Sequence, residues 1–498
     1  MNTRSNIKGM LVIFSALFIV LSVYLVYILN AYGTRWFSSP YNTRLKSQKN
    51  NIIAGDILDR TGRKLATTDS AGDRVYISDT SIRKATSHTV GDNYGQTFGA
   101  ENFFSKYLLG FEQSIFERIT NEISGKRSHG SDVELTIDAS LCVAAYENMG
   151  EHRGAVIVIN YKTGEILACV SKPVFDPKYV ADYLSGKREL DKSAMVNRAT
   201  GGRYTPGSVF KLVTALAAIR YLPGITEREF TCSGPLAFDG KTGAYLENVL
   251  LTPQEDAEAK KDSEPGMSGE YRVIRDYNGE YHGSLNLKEA FSKSCNHVFA
   301  QLALEVGEKR LKRTAQELGL NDDFLFDDLV ADSSSMGHAK KASDLAWLGI
   351  GQHTSLVTPL NMCMIAGAVA NGGVMMEPKL LLSVKNTMGS NIYLLQPEEY
   401  KKSMSETEAS TLKAFMVEAV KSGTGRSARI NGFAVGGKTG TAETSSGEKE
   451  PNAWFVGFVE DEEHPLAVCV VLEEGGSGGK HAAPVAREVL KKAFALGY

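Results

Sequence analysis

Three short motifs in this chain contain the residue types that acyl transfer through a serine would use. They are Ser208-Val-Phe-Lys211, Ser294-Cys-Asn296 and Lys438-Thr-Gly440. A serine hydroxyl is a weak nucleophile and needs an adjacent base. A lysine can be that base only when it is neutral, so burial or another cation must lower its pKa. The first motif therefore offers a nucleophile, Ser208, with a candidate base, Lys211, three residues later.

The setting of Ser208 separates it from the other matches to the same pattern. Thr205-Pro206-Gly207 is a turn sequence that can start a helix, and an apolar helical stretch follows from Phe210. A serine in a first helical turn lies beside unpaired N–H groups, where the helix dipole favours negative charge. Five further SxxK matches lack such a setting, at Ser5, Ser81, Ser410, Ser446 and Ser477. The alternative is that Ser208 only caps a helix.

The other two motifs have settings that suit a peptide substrate. Lys438-Thr-Gly440 comes at the end of an apolar strand, and a strand edge offers backbone groups to an extended peptide. Lys438, Thr439 and Thr441 suit a carboxylate, while Gly440 permits close approach. Ser294 and Asn296 lie between two helical stretches, either aimed into a cleft or forming a capped turn. Further Lys-Thr-Gly copies at Lys162 and Lys241 are predicted to be turns.

The elements around these motifs predict an α/β (α+β) fold, with helices packed on an antiparallel sheet. Strands are expected at 154–160, 165–171, 433–438, 454–460 and 466–472, and helices at 286–306 and 483–495. The stretch IIAGDILDRTGRKLA, residues 52–66, predicts a hairpin in a non-catalytic module. Residues 236–283 have a charged centre and are predicted to form an exposed loop.

The N-terminus contains the one stretch apolar enough to span a membrane. Met10 to Leu29 carries no charged residue, and twenty helical residues span about 30 Å, the thickness of the hydrocarbon core. We expect an uncleaved anchor; the alternative is a cleaved signal peptide. Basic residues flank both sides, so the positive-inside rule does not set the orientation.

Charge and cysteine content limit the remaining function classes. The 498 residues carry a net charge of −3, which does not favour nucleic acid as a partner. The six cysteines contain no CxxC pair, so we predict no metal and no cofactor. Most of the cysteines are expected to be unpaired core residues, although one disulfide is left open.

The three motifs in this order resemble the serine penicillin-recognising enzymes. Flanking segments resemble a class B penicillin-binding protein from residue 52 to residue 490, among them TPGSVFK, AFSKSCNHVF, GIGQHTSLVTPL, VANGGVMMEP, VGGKTGTAE and AGDILDRTGRKLA. Cys295 stands where many relatives carry Asp, and Ala54 where relatives often carry Arg. Neither departure touches a residue to which the resemblance assigns chemistry.

This resemblance implies a peptidoglycan D,D-transpeptidase with the penicillin-binding protein/β-lactamase-like transpeptidase fold. Ser208 would attack the D-Ala-D-Ala end of a stem peptide, and Lys211 would take its proton. Ser294 would pass a proton to the leaving D-Ala, helped by Lys438. Substrate binding would fall to Asn296, Thr439, Gly440 and Thr441, and the N–H groups of Ser208 and Thr441 would form the oxyanion hole. A β-lactam would acylate the same serine.

The resemblance also implies a domain order and partners. Residues 1–9 would be a cytoplasmic tail, 10–29 the anchor, 30–150 a non-catalytic module and 151–498 the transpeptidase domain on the extracellular side of the cell membrane. The expected partners are stem peptides ending in D-Ala-D-Ala, β-lactams, the membrane and a separate glycosyltransferase. Two alternatives remain open: a hydrolase of the same fold, either a D,D-carboxypeptidase or a β-lactamase, and a catalytically idle scaffold or sensor.

Overall fold

A computed structural model of the chain describes residues 3–37, 52–111, 128–246, 271–443 and 449–498. Its first element is helix α1, Thr3–Phe37. Within it, Ile7–Ile28 has a mean hydropathy of 2.7 and is not buried against the rest of the protein. Met10–Leu29, the predicted span, is helical throughout. This one helix has the length and composition of a membrane anchor.

An N-terminal module follows, built on a mixed six-stranded sheet. Its early elements are strands β1 Ile52–Ile53, β2 Ile57–Leu58, β3 Lys64–Thr68, β4 Arg74–Tyr76, β5 Ser128–His129 and β6 Asp132–Leu135, and helices α2 Thr80–Ala85, α3 Ser87–Val90, α4 Ala100–Phe103 and α5 Ser105–Leu108. Strands β2 and β3 pair antiparallel, with Ile57 opposite Ala66, which confirms the predicted hairpin.

The hairpin turn is held by a buried carboxylate. Asp59 Oδ1 accepts hydrogen bonds from the backbone N–H groups of Thr61 and Arg63, at 3.0 Å each. Asp59 Oδ2 accepts from the N–H of Ala139 at 3.2 Å, at the start of a later helix. A buried carboxylate needs such partners, because an unpaired one is costly. The DRTG sequence therefore ties the N-terminal module to the domain that follows.

Five antiparallel strands form the central sheet of the second domain. They are β7 Gly154–Asn160, β8 Ile166–Lys172, β18 Val435–Ala442, β19 Asn452–Val459 and β20 Leu466–Leu472, in the order β18-β19-β20-β7-β8. Their residues are almost continuously buried, which explains the unbroken apolar runs in the sequence. The predicted hairpin and the three C-terminal strands are confirmed, and with them the fold class.

Helices cover this sheet and carry the loops of the site. They are α6 Ala139–Asn148, α7 Val180–Leu184, α8 Lys211–Tyr221, α9 Leu287–Ser292, α10 Asn296–Val306, α11 Glu308–Glu317, α12 Ala342–Gly349, α13 Pro359–Ala370, α14 Glu406–Lys421 and α15 Ala482–Ala495. Four 3₁₀ helices accompany them, Pro177–Tyr179, Gly207–Phe210, Tyr277–Gly279 and Arg426–Ala428. Helices α13 and α15 both pack on β19 and β20, and α6 packs on β8.

The remaining strands revise one expectation, the exposed loop predicted at 236–283. They are β9 Glu229–Cys232, β10 Leu236–Asp239, β11 Tyr245–Leu246, β12 Tyr271–Ile274, β13 Gly283–Asn286, β14 Val374–Met376, β15 Leu381–Lys385, β16 Asn391–Leu394 and β17 Glu399–Lys402. The ends of the supposed loop at 236–283 instead form strands, because buried residues such as Phe238 and Ile274 anchor them. The charged centre of that loop, at 247–270, lies outside the described residues.

Two of the later strands join the N-terminal sheet. Strands β15 and β16 complete the N-terminal sheet, in the order β16-β15-β6-β2-β3-β4. Leu381 pairs with Leu135, so a hairpin from deep in the second half of the chain belongs to the first module. The two modules therefore share chain segments and do not divide cleanly at one residue.

Candidate active site

Ser208 lies in the 3₁₀ helix Gly207–Phe210, immediately before α8. A 3₁₀ helix has three residues per turn, so residues 208 and 211 lie on one face. The turn is fixed from two sides: the N–H of Gly207 donates to Gly351 O at 2.8 Å, and Trp454 Nε1 donates to Thr205 O at 3.1 Å. The nucleophile candidate therefore stands on a rigid turn, with its side chain half-buried.

Two glycines bring this turn against strand β18. Gly207 has φ +55°, and a Cβ there would come within 2.7 Å of Thr441 O. A Cβ on Gly440 would lie 3.1 Å from Pro206 O and from Val209 Cγ1. Side chains at either position would separate the turn from the strand.

Lys211 is fully buried beneath Ser208. Its Nζ donates to Ser294 O at 2.5 Å and to Asn296 Oδ1 at 2.6 Å, and lies 3.2 Å from Ser294 Oγ. Burial lowers the pKa of Lys211 to about 8, against the opposing charge of Asp276. A neutral amine has two N–H bonds, which match the two close acceptors and leave a lone pair to take a proton.

Lys438 approaches the same hydroxyl from strand β18. It is fully buried, and its Nζ donates to Ser294 Oγ at 2.9 Å and to Thr439 O at 3.0 Å. The pKa of Lys438 lies well below its usual value, mainly because the side chain is buried and secondly because Lys211 is charged. The Ser294 hydroxyl thus bridges two buried amines and can pass a proton between them.

Ser294 reaches this position because the loop between α9 and α10 adopts a left-handed turn. The φ angle of Ser294 is +61°, which is unusual for a residue with a side chain. Asn296 is fixed beside it: its Nδ2 donates to Arg275 O at 2.7 Å, and its backbone N–H donates to Asp276 Oδ1. These bonds orient the amide oxygen of Asn296 toward Lys211.

The sequence had suggested that Lys438-Thr-Gly440 comes at the end of a strand. The motif lies instead within β18. The strand continues to Ala442, because β19 pairs with it as far as Asn452. β18 is an edge strand of its sheet, so one side of its backbone is available to an extended peptide. Thr439 Oγ1 donates to Thr424 Oγ1 at 2.7 Å, a contact that nothing in the sequence indicated.

The structure brings the predicted site residues together. Lys211, Ser294, Asn296 and Lys438 form one hydrogen-bonded group, while Ser208, Thr439, Gly440 and Thr441 lie on the turn and strand that flank it. The other Lys-Thr-Gly copies are turns, as expected. The N–H of Lys162 donates to Asn160 Oδ1 at 2.9 Å, and that of Lys241 to Asp239 Oδ1 at 3.1 Å.

A second buried group lies behind the Ser294–Asn296 loop. Cys232, Asp276, His282 and Cys295 each offer one ligand atom, and these four atoms lie within 4.8 Å of one another. The sequence search missed this group, because its members are separated along the chain and form no spaced pair. All six cysteines are buried and unpaired, in agreement with the expectation for most of them.

The fold and the serine–lysine arrangement define a class of enzymes that transfer acyl groups through a serine. Comparison with known proteins narrows this class. Residues 154–225 and 246–491 match the family model for the penicillin binding protein transpeptidase domain. The chain belongs to this family.

Similarity to individual proteins supports this family assignment. The chain is 31% identical over 420 residues to peptidoglycan D,D-transpeptidase PbpA of Mycolicibacterium smegmatis, covering 80% of each protein. Its structure resembles an acyl-enzyme complex of penicillin-binding protein A from M. tuberculosis, with a TM-score of 0.76, 27% identity and coverage of 90% of this chain and 99% of that one. A D,D-transpeptidase domain from Eggerthella lenta gives a TM-score of 0.73 at 27% identity, with the same coverage of both chains.

The lowered pKa of Lys211 predicts how acylation depends on pH. With the neutral Lys211 amine as the expected base, the second-order rate of acylation by a labelled penicillin should rise about tenfold between about pH 7 and pH 9 and then level off. Stopped-flow or gel-based labelling across this range measures the rate. A profile that stays flat or falls over the same range would contradict a lysine base.

Proposed function

We propose that this chain is a peptidoglycan D,D-transpeptidase that forms its acyl-enzyme on Ser208 and cross-links stem peptides. One observation carries the assignment of roles: both Lys211 and Lys438 contact the hydroxyl of Ser294. Lys211 lies one helical turn after Ser208. Peptidoglycan peptides are its substrates, and β-lactams bind at the same site.

Acylation begins when Ser208 Oγ attacks the carbonyl carbon of the penultimate D-Ala. Lys211 takes the hydroxyl proton as the bond forms. The backbone N–H groups of Ser208 and Thr441 stabilise the oxyanion, which is usually the largest electrostatic contribution to such a step. As the carbon–nitrogen bond breaks, the terminal D-Ala takes a proton from Ser294, and Lys211 resupplies that proton to Ser294 under the field of Lys438.

Substrate binding uses the edge of β18 and the loop opposite it. The peptide lies along the free side of the strand, and Gly440 leaves room for its backbone. Thr439 and Thr441 hold the terminal carboxylate on the same strand as Lys438. The Thr424 hydroxyl, 2.7 Å from that of Thr439, keeps the threonine side chain in place. Asn296 binds the amide of the penultimate residue.

Deacylation repeats these steps in reverse with a new nucleophile. An amine from a neighbouring stem peptide attacks the acyl carbon and gives a proton to Ser294, which passes one on to Lys211. Lys211 returns a proton to Ser208 Oγ as the ester bond breaks, which frees the serine and completes the cross-link. Water in place of the amine gives a D,D-carboxypeptidase side activity. A β-lactam acylates Ser208 but keeps its leaving group tethered, so the acyl-enzyme persists.

Replacement of the nucleophile tests the proposal. Ser208→Ala should abolish both penicillin labelling and cross-link formation, because the 3₁₀ helix Gly207–Phe210 contains no other hydroxyl group. Muropeptide analysis after incubation with lipid-linked substrate and a glycosyltransferase measures the cross-links, and circular dichroism checks the fold. Ser81→Ala, which removes the serine of another SxxK match on the exposed side of α2, is the matched control and should keep wild-type labelling. Cross-linking that survived in Ser208→Ala would refute the assignment.

The proposal includes the placement of the chain in the membrane. Residues 1–9 form a cytoplasmic tail and residues 10–29 form the anchor. Residues 30–150 form most of the non-catalytic module. Residues 151–498 form the transpeptidase domain, which lies outside the cell, where peptidoglycan is. The 35-residue helix Thr3–Phe37 is long enough to cross the bilayer and extend beyond it. Protease added to spheroplasts should therefore digest everything beyond the anchor. Full protection would place the domain inside.

A glycosyltransferase partner completes the proposal. In this proposal the chain cross-links glycan strands that a separate glycosyltransferase polymerises. Co-purification of the detergent-solubilised chain with a glycosyltransferase tests this step. Purification without such a protein under conditions that keep other membrane complexes intact would count against it.

A further inference from the structure

We infer that Glu473 is a positioning residue for the proposed reaction, because it fixes the turn that carries Ser208 against the sheet that carries Thr441. Glu473 directly follows the last residue of β20. It acts through Tyr204, which lies four residues before Ser208. The inference rests on the proposed function, in which the backbone N–H groups of Ser208 and Thr441 form the oxyanion hole.

The carboxylate of Glu473 accepts three hydrogen bonds. Its Oε1 accepts from the Tyr204 hydroxyl at 2.8 Å and from Arg198 Nε at 2.7 Å, and its Oε2 accepts from Arg153 Nε at 3.2 Å. An ionised carboxylate can only accept, so the Tyr204 hydroxyl is the donor. Burial, and next the charge of Glu473, raises the pKa of Tyr204, so this hydroxyl keeps its proton over the pH range of acylation.

Tyr204 transmits this contact to the backbone of the turn. Its N–H donates to Val357 O at 3.0 Å, and its carbonyl oxygen accepts from the N–H of Val357 at 2.8 Å. Its ring meets the ring of Trp454 edge-on, with centroids 5.9 Å apart, and Trp454 Nε1 donates to Thr205 O. The backbone, the ring and the hydroxyl of Tyr204 are each held by a different segment, which fixes where the Thr205-Pro-Gly207 turn begins.

The register of the central sheet relates Glu473 to the other half of the oxyanion hole. Thr441 on β18 pairs with Ala453 on β19, and Ala453 pairs with Leu472 on β20. Glu473 is the next residue, and its own N–H donates to Arg153 O at 2.8 Å. Two strand pairings therefore tie the position of Glu473 to that of Thr441.

This link matters because stabilisation of an oxyanion depends on geometry. Both donors must lie about 2.7–3.1 Å from the oxygen that carries the developing charge. One donor, Thr441, belongs to the sheet, whereas the other, Ser208, belongs to a separate turn. The bond from Tyr204 to Glu473 joins the two, so its loss should let the turn shift and widen the oxyanion hole.

The first test is Tyr204→Phe in the full-length chain purified in detergent, which removes one hydroxyl and keeps the ring. The second-order rate of penicillin acylation should fall about tenfold, less than the cost of about 10²–10³ for loss of a whole oxyanion donor. Glu473→Gln should have a smaller effect, because its amide oxygen can still accept from Tyr204. Glu473→Ala is avoided, since it would leave the buried Arg198 without its carboxylate.

Tyr498→Phe is the matched control. The Tyr498 hydroxyl donates to Asp138 Oδ2 at 2.7 Å, a similar bond at the start of α6. The two Phe variants should lose similar amounts of thermal stability, because each loses one tyrosine–carboxylate hydrogen bond. Of the two, only Tyr204→Phe should be acylated slowly. The pH at which its acylation rate rises should match the wild type, because the contacts of the base Lys211 are unchanged.

Infrared spectroscopy of the acyl-enzyme reports on the oxyanion hole itself. Penicillin labelled with ¹³C at the β-lactam carbonyl identifies the ester carbonyl band by difference from unlabelled penicillin. Hydrogen bonds to the carbonyl oxygen polarise the bond and lower its stretching frequency. The band should therefore move to higher frequency and broaden in Tyr204→Phe, and it should stay at the wild-type position in Tyr498→Phe.

The outcomes separate this inference from the proposed function. Wild-type acylation by Tyr204→Phe, or an unchanged carbonyl band in that variant, would overturn the role of Glu473 and leave the transpeptidase assignment standing. So would Tyr498→Phe if it slowed acylation as much, because lost stability would then explain both variants. A wild-type chain that penicillin does not acylate at Ser208 would refute the transpeptidase assignment, and the role of Glu473 with it.

Discussion

The site depends on the contact of two buried lysines with one serine hydroxyl. Lys211 and Lys438 are both fully buried and both lie within 3.2 Å of Ser294 Oγ. Isolating a charge from water costs several kcal/mol, and two like charges at this distance oppose each other. The arrangement therefore favours a state in which one amine is neutral, which is what a lysine base requires. Burying a lysine is unfavourable in an ordinary protein core. Here the same burial lowers the pKa of Lys211, so that its amine is more readily neutral.

The surrounding loop, turn and strand hold Lys211, Lys438 and Ser294 in contact. Ser294 accepts a left-handed backbone conformation to reach both amines, and Asn296 is tied to Arg275 and Asp276 so that its oxygen meets Lys211. On the other side, the glycines of the TPG turn and of Lys438-Thr-Gly440 allow the nucleophile turn to lie against an edge strand. The five-stranded sheet places that strand with its free side open to a peptide. Each of these features fixes the position of Lys211, Ser294 or Lys438, or of the turn that carries Ser208.

Much of this was predictable from the sequence, because the strongest signals are local. The turn and apolar helix around Ser208, the hairpin at 154–172 and the start of α13 at Pro359 each follow from neighbouring residues. The order of the three motifs then selected one serine from six SxxK matches. The strand containing Lys438 was placed too short, since its length is set by pairing with β19 rather than by its own composition.

The features that were missed depend on contacts between distant segments. Thr424 meets Thr439 only because α14 ends beside β18, and Cys232 meets Cys295 only through the pairing of β9 with β13. Single histidines and cysteines carry no pattern that would group them. Likewise, nothing in the sequence indicated that β15 would pair with β6 and, together with β16, join the N-terminal sheet. Sequence reasoning thus identified the three motifs that the structure brings together, but not the residues that hold them in place.

The most direct test of this account is to find the residue that a β-lactam modifies. The intact chain would be incubated with penicillin, quenched, digested and analysed by tandem mass spectrometry. The account predicts a single adduct, long-lived on the time scale of the digestion, on the peptide that contains Ser208. An adduct on a different residue, or an adduct hydrolysed before it can be detected, would contradict it.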